Sequence, residues 1–99
     1  MRWHPMDYKE AQKLYRGRQW KEFRAAYIAK NPYALCTASN CGVELIGSDY
    51  TLDHIVPLNR GGEPFDELNI KPMCRRCNGK KRNELEMREN YVNSSYLVF

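Results

Sequence analysis

The chain has 99 residues, among them seven Tyr, three Phe and two Trp, and a formal net charge of +4. Its length predicts one small domain, whose limited core often needs a metal or a disulfide for stability. The aromatic content argues against a disordered segment, and no apolar run or signal sequence indicates a membrane or secreted protein, so we expect a cytoplasmic protein.

The N-terminal part of the chain predicts a short helix. Asp7 and Glu10 have the spacing of a capping box, in which each residue bonds the backbone N–H of the other at a helix start. Tyr8 and Tyr15 then share one helical face. Gly17 is expected to end this helix.

A second helix is predicted from Arg18 to Lys30. Trp20, Phe23 and Tyr27 recur at helical spacing, which is typical of a stripe that packs on the core. Pro32 should end the helix, because a residue before proline disfavours helical backbone angles. Basic side chains elsewhere on these helices are candidates for phosphate contacts: Arg16, Arg18, Lys21 and Arg24.

Four cysteines form two close pairs, Cys36-x4-Cys41 and Cys74-x2-Cys77. Paired cysteines in a chain without a secretory signal predict a structural Zn²⁺ site with four thiolate ligands. The alternative is a pair of disulfides, which the reducing cytosol disfavours.

Between the cysteine pairs the sequence predicts a strand from Tyr50 to Val56. Leu52, His54 and Val56 would share one face, with Asp53 on the other. Adjacent strand residues point apart, but Asp53 and His54 can still flank one site at the rim of a hairpin.

The second half of this region predicts a returning strand and a helix. Residues 59–64 form a turn-rich loop, and residues 69–73 form a short strand that Pro72 marks as an edge. A helix is predicted over residues 75–90. The tail, residues 91–99, is apolar and either docks on the core or meets a partner.

Basic residues cluster near the start of this last helix, which favours an anionic partner such as DNA. The alternative is an ordinary solvated helix face. With one loop arginine, the predicted DNA-binding set is Arg60, Arg75, Arg76, Lys80, Lys81 and Arg82.

A longer pattern runs through these elements: LDHIVPLNRGG at residues 52–62, LN at 68–69 and MCRRCN at 73–78. This pattern resembles the HNH endonucleases of the ββα-metal (His-Me finger) class. Residues 15–20, Arg24 and Asn31-Pro32 also resemble the small stand-alone HNH nucleases of phages and prophages. The resemblance implies an α+β fold: a small ββα-metal domain with a zinc-ribbon-like four-cysteine site and N-terminal helices.

The resemblance also implies roles for four residues. His54 would be the general base that takes a proton from the attacking water. Asp53 and Asn78 would hold a catalytic Mg²⁺ or Mn²⁺ ion through oxygen. Asn69 would tie down the hairpin loop and orient His54. The last position of the motif is usually His, so Asn78 removes a nitrogen ligand that would favour Zn²⁺ or Ni²⁺.

By this resemblance the chain is expected to be one HNH nuclease domain, residues 1–99. Residues 1–32 would be helical support, 33–90 the zinc site and core, and 91–99 the tail. Its expected activity is cleavage of DNA by nicking or double-strand cutting, with little sequence specificity. Analogy suggests phage terminase or portal proteins as further partners of a monomer or homodimer.

Two alternatives to this function stay open. Within the same family, a restriction-type nuclease would act on modified DNA. From another class, a non-catalytic zinc-ribbon module would bind nucleic acid or protein. The Asp53-His54 pair separates the second alternative from an enzyme, because a binding module needs no general base.

Overall fold

The computed structural model describes residues 3–80. The elements follow in chain order: α1 (Tyr8–Arg16), α2 (Arg18–Lys30), β1 (Tyr50–His54), β2 (Ile70–Cys74) and α3, of which residues 75–80 are described. The rest of the predicted last helix and the apolar tail lie outside the described residues. None of the described helices has the length and apolar character needed to cross a bilayer.

The two N-terminal helices have the predicted bounds. The capping box at α1 is complete, with Glu10 N donating to Asp7 Oδ1 at 2.8 Å and Asp7 N donating to Glu10 Oε1 at 3.1 Å. Gly17 takes an extended conformation between the helices, with φ −75° and ψ 159°. These local signals were enough to predict the bounds of both helices, because capping bonds and helix-breaking residues act within a few residues.

Trp20 anchors α2 to the core, as the helical stripe predicted. The Trp20 ring is buried, stacks on Phe23 at 5.5 Å and meets Tyr15 edge-on at 5.2 Å. Such pairs stabilise beyond their buried area. The buried residues of the core come from both halves of the chain: Trp20, Cys36, Leu45, Tyr50, Leu52, Ile70, Met73 and Cys74.

The sheet is a single antiparallel pair in which Leu52 lies opposite Pro72. Tyr50, Leu52 and His54 are buried, whereas the residues between them are half-buried, so the predicted alternation is confirmed within β1. The carbonyl of Pro72 accepts bonds from the backbone N and the hydroxyl of Thr37, which cover part of this edge strand.

The predicted strand ends were wrong by one or two residues. β1 ends at His54 and not at Val56, and β2 starts at Ile70 and not at Asn69. One further ladder bond forms, from Ile55 N to the Asn69 carbonyl at 2.8 Å, but the Asn69 N–H turns back to Asp66 O and ends the pairing. Val56 N then bonds the Asn69 side chain, whose Oδ1 accepts at 2.7 Å. Asn69 itself ends the short 3₁₀ turn Glu67–Asn69.

Gly62 should be indispensable for this corner of the fold. A Cβ at residue 62 would lie 1.8 Å from the Val56 carbonyl oxygen, whereas one at Gly79 would meet nothing within 4 Å. We expect Gly62→Ala to lower the free energy of unfolding by about 2–3 kcal/mol, the upper part of the usual range for overpacking. Gly79→Ala, in the helix, should raise it by about 0.5–1 kcal/mol.

Urea unfolding of the two variants beside the parent protein measures both changes. Equal stability of Gly62→Ala and the parent would contradict the close approach of Gly62 to Val56.

Candidate active site and cysteine cluster

A cleft of ≈ 560 Å³ lies between the N-terminal helices and the sheet. Asp53 and His54 enter it from the end of β1, and Asn78 enters it from α3. One wall thus comes from residues outside the HNH-like motif. The cleft is lined by Met6, Asp7, Tyr8, Ala11, Gln12, Tyr15, Trp20, Arg24, Thr51, Leu52, Asp53, His54, Pro57, Leu58, Asn59 and Asn78.

His54 is held on both sides of its ring. Only 4% of the residue is exposed, its Nε2 lies 3.1 Å from the Pro64 carbonyl oxygen, and its Nδ1 lies 3.3 Å from Tyr15 Oη. Because a carbonyl oxygen only accepts hydrogen bonds, Nε2 carries the proton and Nδ1 carries the lone pair in the neutral ring. The basic nitrogen of His54 therefore lies beside the Tyr15 hydroxyl.

Asn69 lies away from the cleft lining and binds the loop behind His54. Its Oδ1 accepts from Val56 N, and its Nδ2 donates to Val56 O at 3.2 Å and to Glu63 O at 3.0 Å. The side chain is buried, so these bonds satisfy groups that would otherwise lack partners. Asn69 thereby ties the end of β1 to the segment before Pro64, whose carbonyl meets His54.

Asp53 and Asn78 bring two oxygen-bearing side chains to the same cleft. The Asn78 Nδ2 donates to Thr51 Oγ1 at 3.0 Å, which leaves its Oδ1 as the atom suited to a cation. Carboxylate and amide oxygens are ligands that Mg²⁺ and Mn²⁺ accept. The donor set in the cleft thus fits a hard divalent ion.

The start of α3, which carries Asn78, is fixed by two further bonds. Arg75 N donates to Asp49 Oδ1 at 3.0 Å, and Cys77 N donates to Cys74 Sγ at 3.4 Å. Both engage N–H groups of the first helical turn, which have no partner within a helix. The position of Asn78 therefore depends on the cysteine turn as well as on the sheet.

The four cysteines come together as one cluster. All four are free thiols, and their Sγ atoms lie within 4.8 Å of one another, with Cys41 Sγ 4.0 Å from Cys74 Sγ. Four tetrahedral Zn–S bonds of about 2.3 Å require sulfur atoms about 3.8 Å apart. This cluster could bind zinc, whereas its separated sulfur atoms do not form disulfides.

The thiols of the cluster differ in acidity. Burial opposes ionisation of Cys36, but hydrogen bonds from the Cys74 and Ala38 N–H groups and from neighbouring thiols lower its pKa to about 7. Hydrogen bonds with Cys74 and Cys41, followed by burial, raise the pKa of Cys77 to about 12. One thiol thus ionises readily while another keeps its proton, because the cysteines of the cluster hydrogen-bond one another.

The predicted basic set lies partly within the described residues. Arg60, Arg75, Arg76 and Lys80 are all exposed, so they are available to a polyanion. Lys81 and Arg82 lie outside the described residues.

Three cleft residues had no assigned role in the motif: Tyr15, Arg24 and Thr51. Arg24, one of the basic helix residues considered for phosphate, donates to the Tyr50 carbonyl and is the one Lys or Arg among the described residues that line the cleft. The sequence contains no signal that distinguishes Tyr15 from an ordinary aromatic residue of the core. Thr51 could have been found, because the two-residue period of a strand puts it on the same face as Asp53.

We expect the purified protein to contain one Zn²⁺ ion per chain, bound by the cysteine cluster. Cys74→Ser should lose this ion and fail to fold, because structural zinc supplies folding free energy of about 10 kcal/mol or more in zinc-finger peptides. Elemental analysis and circular dichroism measure both effects, with the parent stripped of metal and reloaded with Zn²⁺ as the control. A folded parent protein without tightly bound metal would contradict this expectation.

Comparison with known proteins gives one family. The family model described as HNH endonuclease matches residues 36–84, which include both cysteine pairs, Asp53 and His54. No curated protein and no solved structure matches the chain. The observed fold, helices with a two-stranded antiparallel sheet and a four-cysteine cluster, is consistent with the ββα-metal fold. HNH membership implies nuclease activity in general, and HNH nucleases use divalent metals. Residues 36–84 of this chain therefore belong to the HNH endonuclease family, as the motif predicted.

Proposed function

We propose that this chain is a divalent-metal-dependent DNA endonuclease that hydrolyses phosphodiester bonds with little sequence specificity. The observation that carries this proposal is the setting of His54, whose Nδ1 lone pair meets the Tyr15 hydroxyl in the lining of a cleft that Asp53 and Asn78 also line. A general base, two oxygen ligands and a cation, Arg24, line one cavity. This combination is what phosphodiester hydrolysis needs.

His54 takes a proton from the attacking water through Nδ1. The other ring nitrogen keeps its N–H on the Pro64 carbonyl throughout, so the ring does not rotate as its charge changes. That carbonyl also stabilises the imidazolium ion that forms. Nδ1 lies 3.3 Å from Tyr15 Oη, so the water has to take the place of this hydroxyl on the nitrogen. Asn69 acts indirectly, because it fixes the loop that presents Pro64.

Asp53 and Asn78 would hold a Mg²⁺ or Mn²⁺ ion. When bound, this ion supplies positive charge to the pentacovalent phosphate and to the departing 3′-oxygen. Asn78 contributes a neutral oxygen where a histidine would contribute nitrogen, so the pair selects hard cations over Zn²⁺ or Ni²⁺. Arg24 of α2 donates to the Tyr50 carbonyl and has further N–H groups to offer the phosphate in the same cleft.

The substrate is bound through its backbone. Arg60, Arg75, Arg76 and Lys80 are exposed, and Lys81 with Arg82 extends the basic run in sequence. Lys and Arg contacts to phosphate orient DNA without reading bases, which accounts for the low sequence specificity proposed.

The biological setting is proposed on analogy alone. A stand-alone HNH nuclease of the phage type would act in the cytoplasm, as a monomer or homodimer, beside terminase or portal proteins during DNA packaging. We propose the same single-domain organisation as above, with residues 1–32 supporting the nuclease core.

A second function, a non-catalytic module that binds nucleic acid, is favoured by one observation. His54 is 4% exposed and both ring nitrogens have partners, which is also the state of a structural histidine. Kinetics of a His54 variant separate the two functions.

We expect His54→Gln to reduce the rate of plasmid nicking by about 10²- to 10⁴-fold, the usual effect of losing a positioned general base. Glutamine keeps an N–H donor for the Pro64 carbonyl and most of the packing volume, so the fold and DNA affinity should be retained. His4→Gln is the matched control, because His4 is exposed and contacts only Glu10 among the described side chains.

Nicking is measured with Mg²⁺ added back to protein dialysed against chelator, with the zinc content checked before each assay. If His54→Gln nicks as fast as the parent protein, the chain is not this kind of enzyme and the binding module is the better description.

DNA affinity should fall steeply with salt and vary little between sequences. Release of counterions from DNA predicts a loss of about tenfold or more between 50 and 200 mM salt for several phosphate contacts. The variant Arg75→Gln/Arg76→Gln should weaken binding and flatten this slope. Lys30→Gln is the control, since the Lys30 ammonium is paired with Glu67 at 3.0 Å. Fluorescence anisotropy at several salt concentrations measures the slope, and an affinity insensitive to salt would contradict the basic-surface assignment.

A further inference from the structure

We propose that Thr51 is a positioning residue that selects which end of the Asn78 amide faces the catalytic cation. This inference rests on the proposed function, because it takes Asp53 and Asn78 as the metal ligands. Thr51 lies two residues before Asp53, so both side chains are on the same half-buried face of β1. Its hydroxyl contacts both β2 and α3.

The argument starts from the single proton of the Thr51 hydroxyl. Thr51 Oγ1 lies 2.7 Å from the Met73 carbonyl oxygen and 3.0 Å from Asn78 Nδ2. A carbonyl oxygen only accepts, so the hydroxyl donates its proton to Met73. Toward Asn78 the hydroxyl can then only accept, and the amide atom that it meets has to be the NH₂ group.

This network fixes an orientation that the amide would not hold alone. The two ends of an asparagine amide differ little in shape, so rotation by 180° exchanges oxygen and nitrogen. Only the oxygen can bind a cation. With Nδ2 engaged by Thr51, the Oδ1 atom remains, and no hydrogen bond to it is present among the described residues. Thr51 therefore favours the metal-binding orientation of Asn78.

Thr51 is not needed to hold α3 itself. The helix start is already fixed by Asp49 on Arg75 N and by Cys74 on Cys77 N. Valine has the shape of threonine and an equal preference for strands, so loss of the hydroxyl should leave the backbone in place. The effect of the hydroxyl is thus confined to the Asn78 side chain.

The test is Mn²⁺ binding by the zinc-loaded protein, followed by calorimetry or electron paramagnetic resonance. Thr51→Val should weaken Mn²⁺ affinity by about tenfold, the lower end of the effect of groups that orient metal ligands. Thr51→Ser, which keeps the hydroxyl, should bind like the parent. Nicking by Thr51→Val should need about tenfold more Mg²⁺, with the rate at saturating Mg²⁺ close to that of the parent.

A double-mutant cycle isolates the orientation effect. Asn78→Asp replaces the amide with a carboxylate whose two oxygens are equivalent, so there is no wrong end to present. In that background Thr51→Val should lower Mn²⁺ affinity by less than about threefold, or raise it, since no wrong end of the side chain remains to be presented. An equal loss in both backgrounds would show that the hydroxyl acts otherwise and would overturn the inference.

Asp53→Ala separates failure of this inference from failure of the proposed function. If Asp53→Ala abolishes Mn²⁺ binding but Thr51→Val leaves it unchanged, only the role of Thr51 is wrong. If Asp53→Ala leaves Mn²⁺ binding unchanged, the metal ligands themselves are misassigned and both proposals fall. Melting temperature and zinc content of each variant confirm that the fold is intact.

Discussion

A sheet of two five-residue strands cannot be stable in water by itself, and this constraint governs the molecule. Its buried face needs a cover, which Trp20 and the other aromatic residues of α2 provide. The end of the sheet where β2 passes into α3 needs a cross-link, and the cysteine cluster lies at this end. The cleft is lined by residues of α1, α2, β1 and the start of α3, so the residues proposed for chemistry depend on both supports.

The Asn69 side chain is the second element on which the cleft depends. It imitates a neighbouring strand by accepting from Val56 N and donating to Val56 O, and it also binds Glu63 O. The loop thereby turns sharply enough for the Pro64 carbonyl to reach His54. Gly62 is required at this turn because its backbone lies against the carbonyl that Asn69 binds. The tautomer of His54 is thus a product of loop geometry.

Local and non-local signals explain which features the sequence could predict. The bounds of α1 and α2 followed from a capping box, a glycine and a proline, all of which act on adjacent residues. The ends of the strands did not, because they depend on Asn69, whose N–H bonds Asp66 O and whose side chain bonds Val56, 13 residues away along the chain. The motif includes Asp53, His54 and Asn78, which line the cleft, but it gave no indication that Tyr15 and Trp20 would contact His54. The bond between Thr51 and Asn78, 27 residues apart, depends on how α3 is seated on the sheet.

The cysteine cluster has a consequence for the lifetime of the molecule. Its two pairs are at least 33 residues apart, and the chain between Cys41 and Cys74 contains Asp53, His54 and Asn69. A cross-link that closes a loop of this length raises the free energy of unfolding by about 4 kcal/mol in the chain-entropy treatment. With a metal in the cluster, opening of the loop has to await departure of that ion. The lifetime of the folded domain would then depend on how fast that ion exchanges with solution.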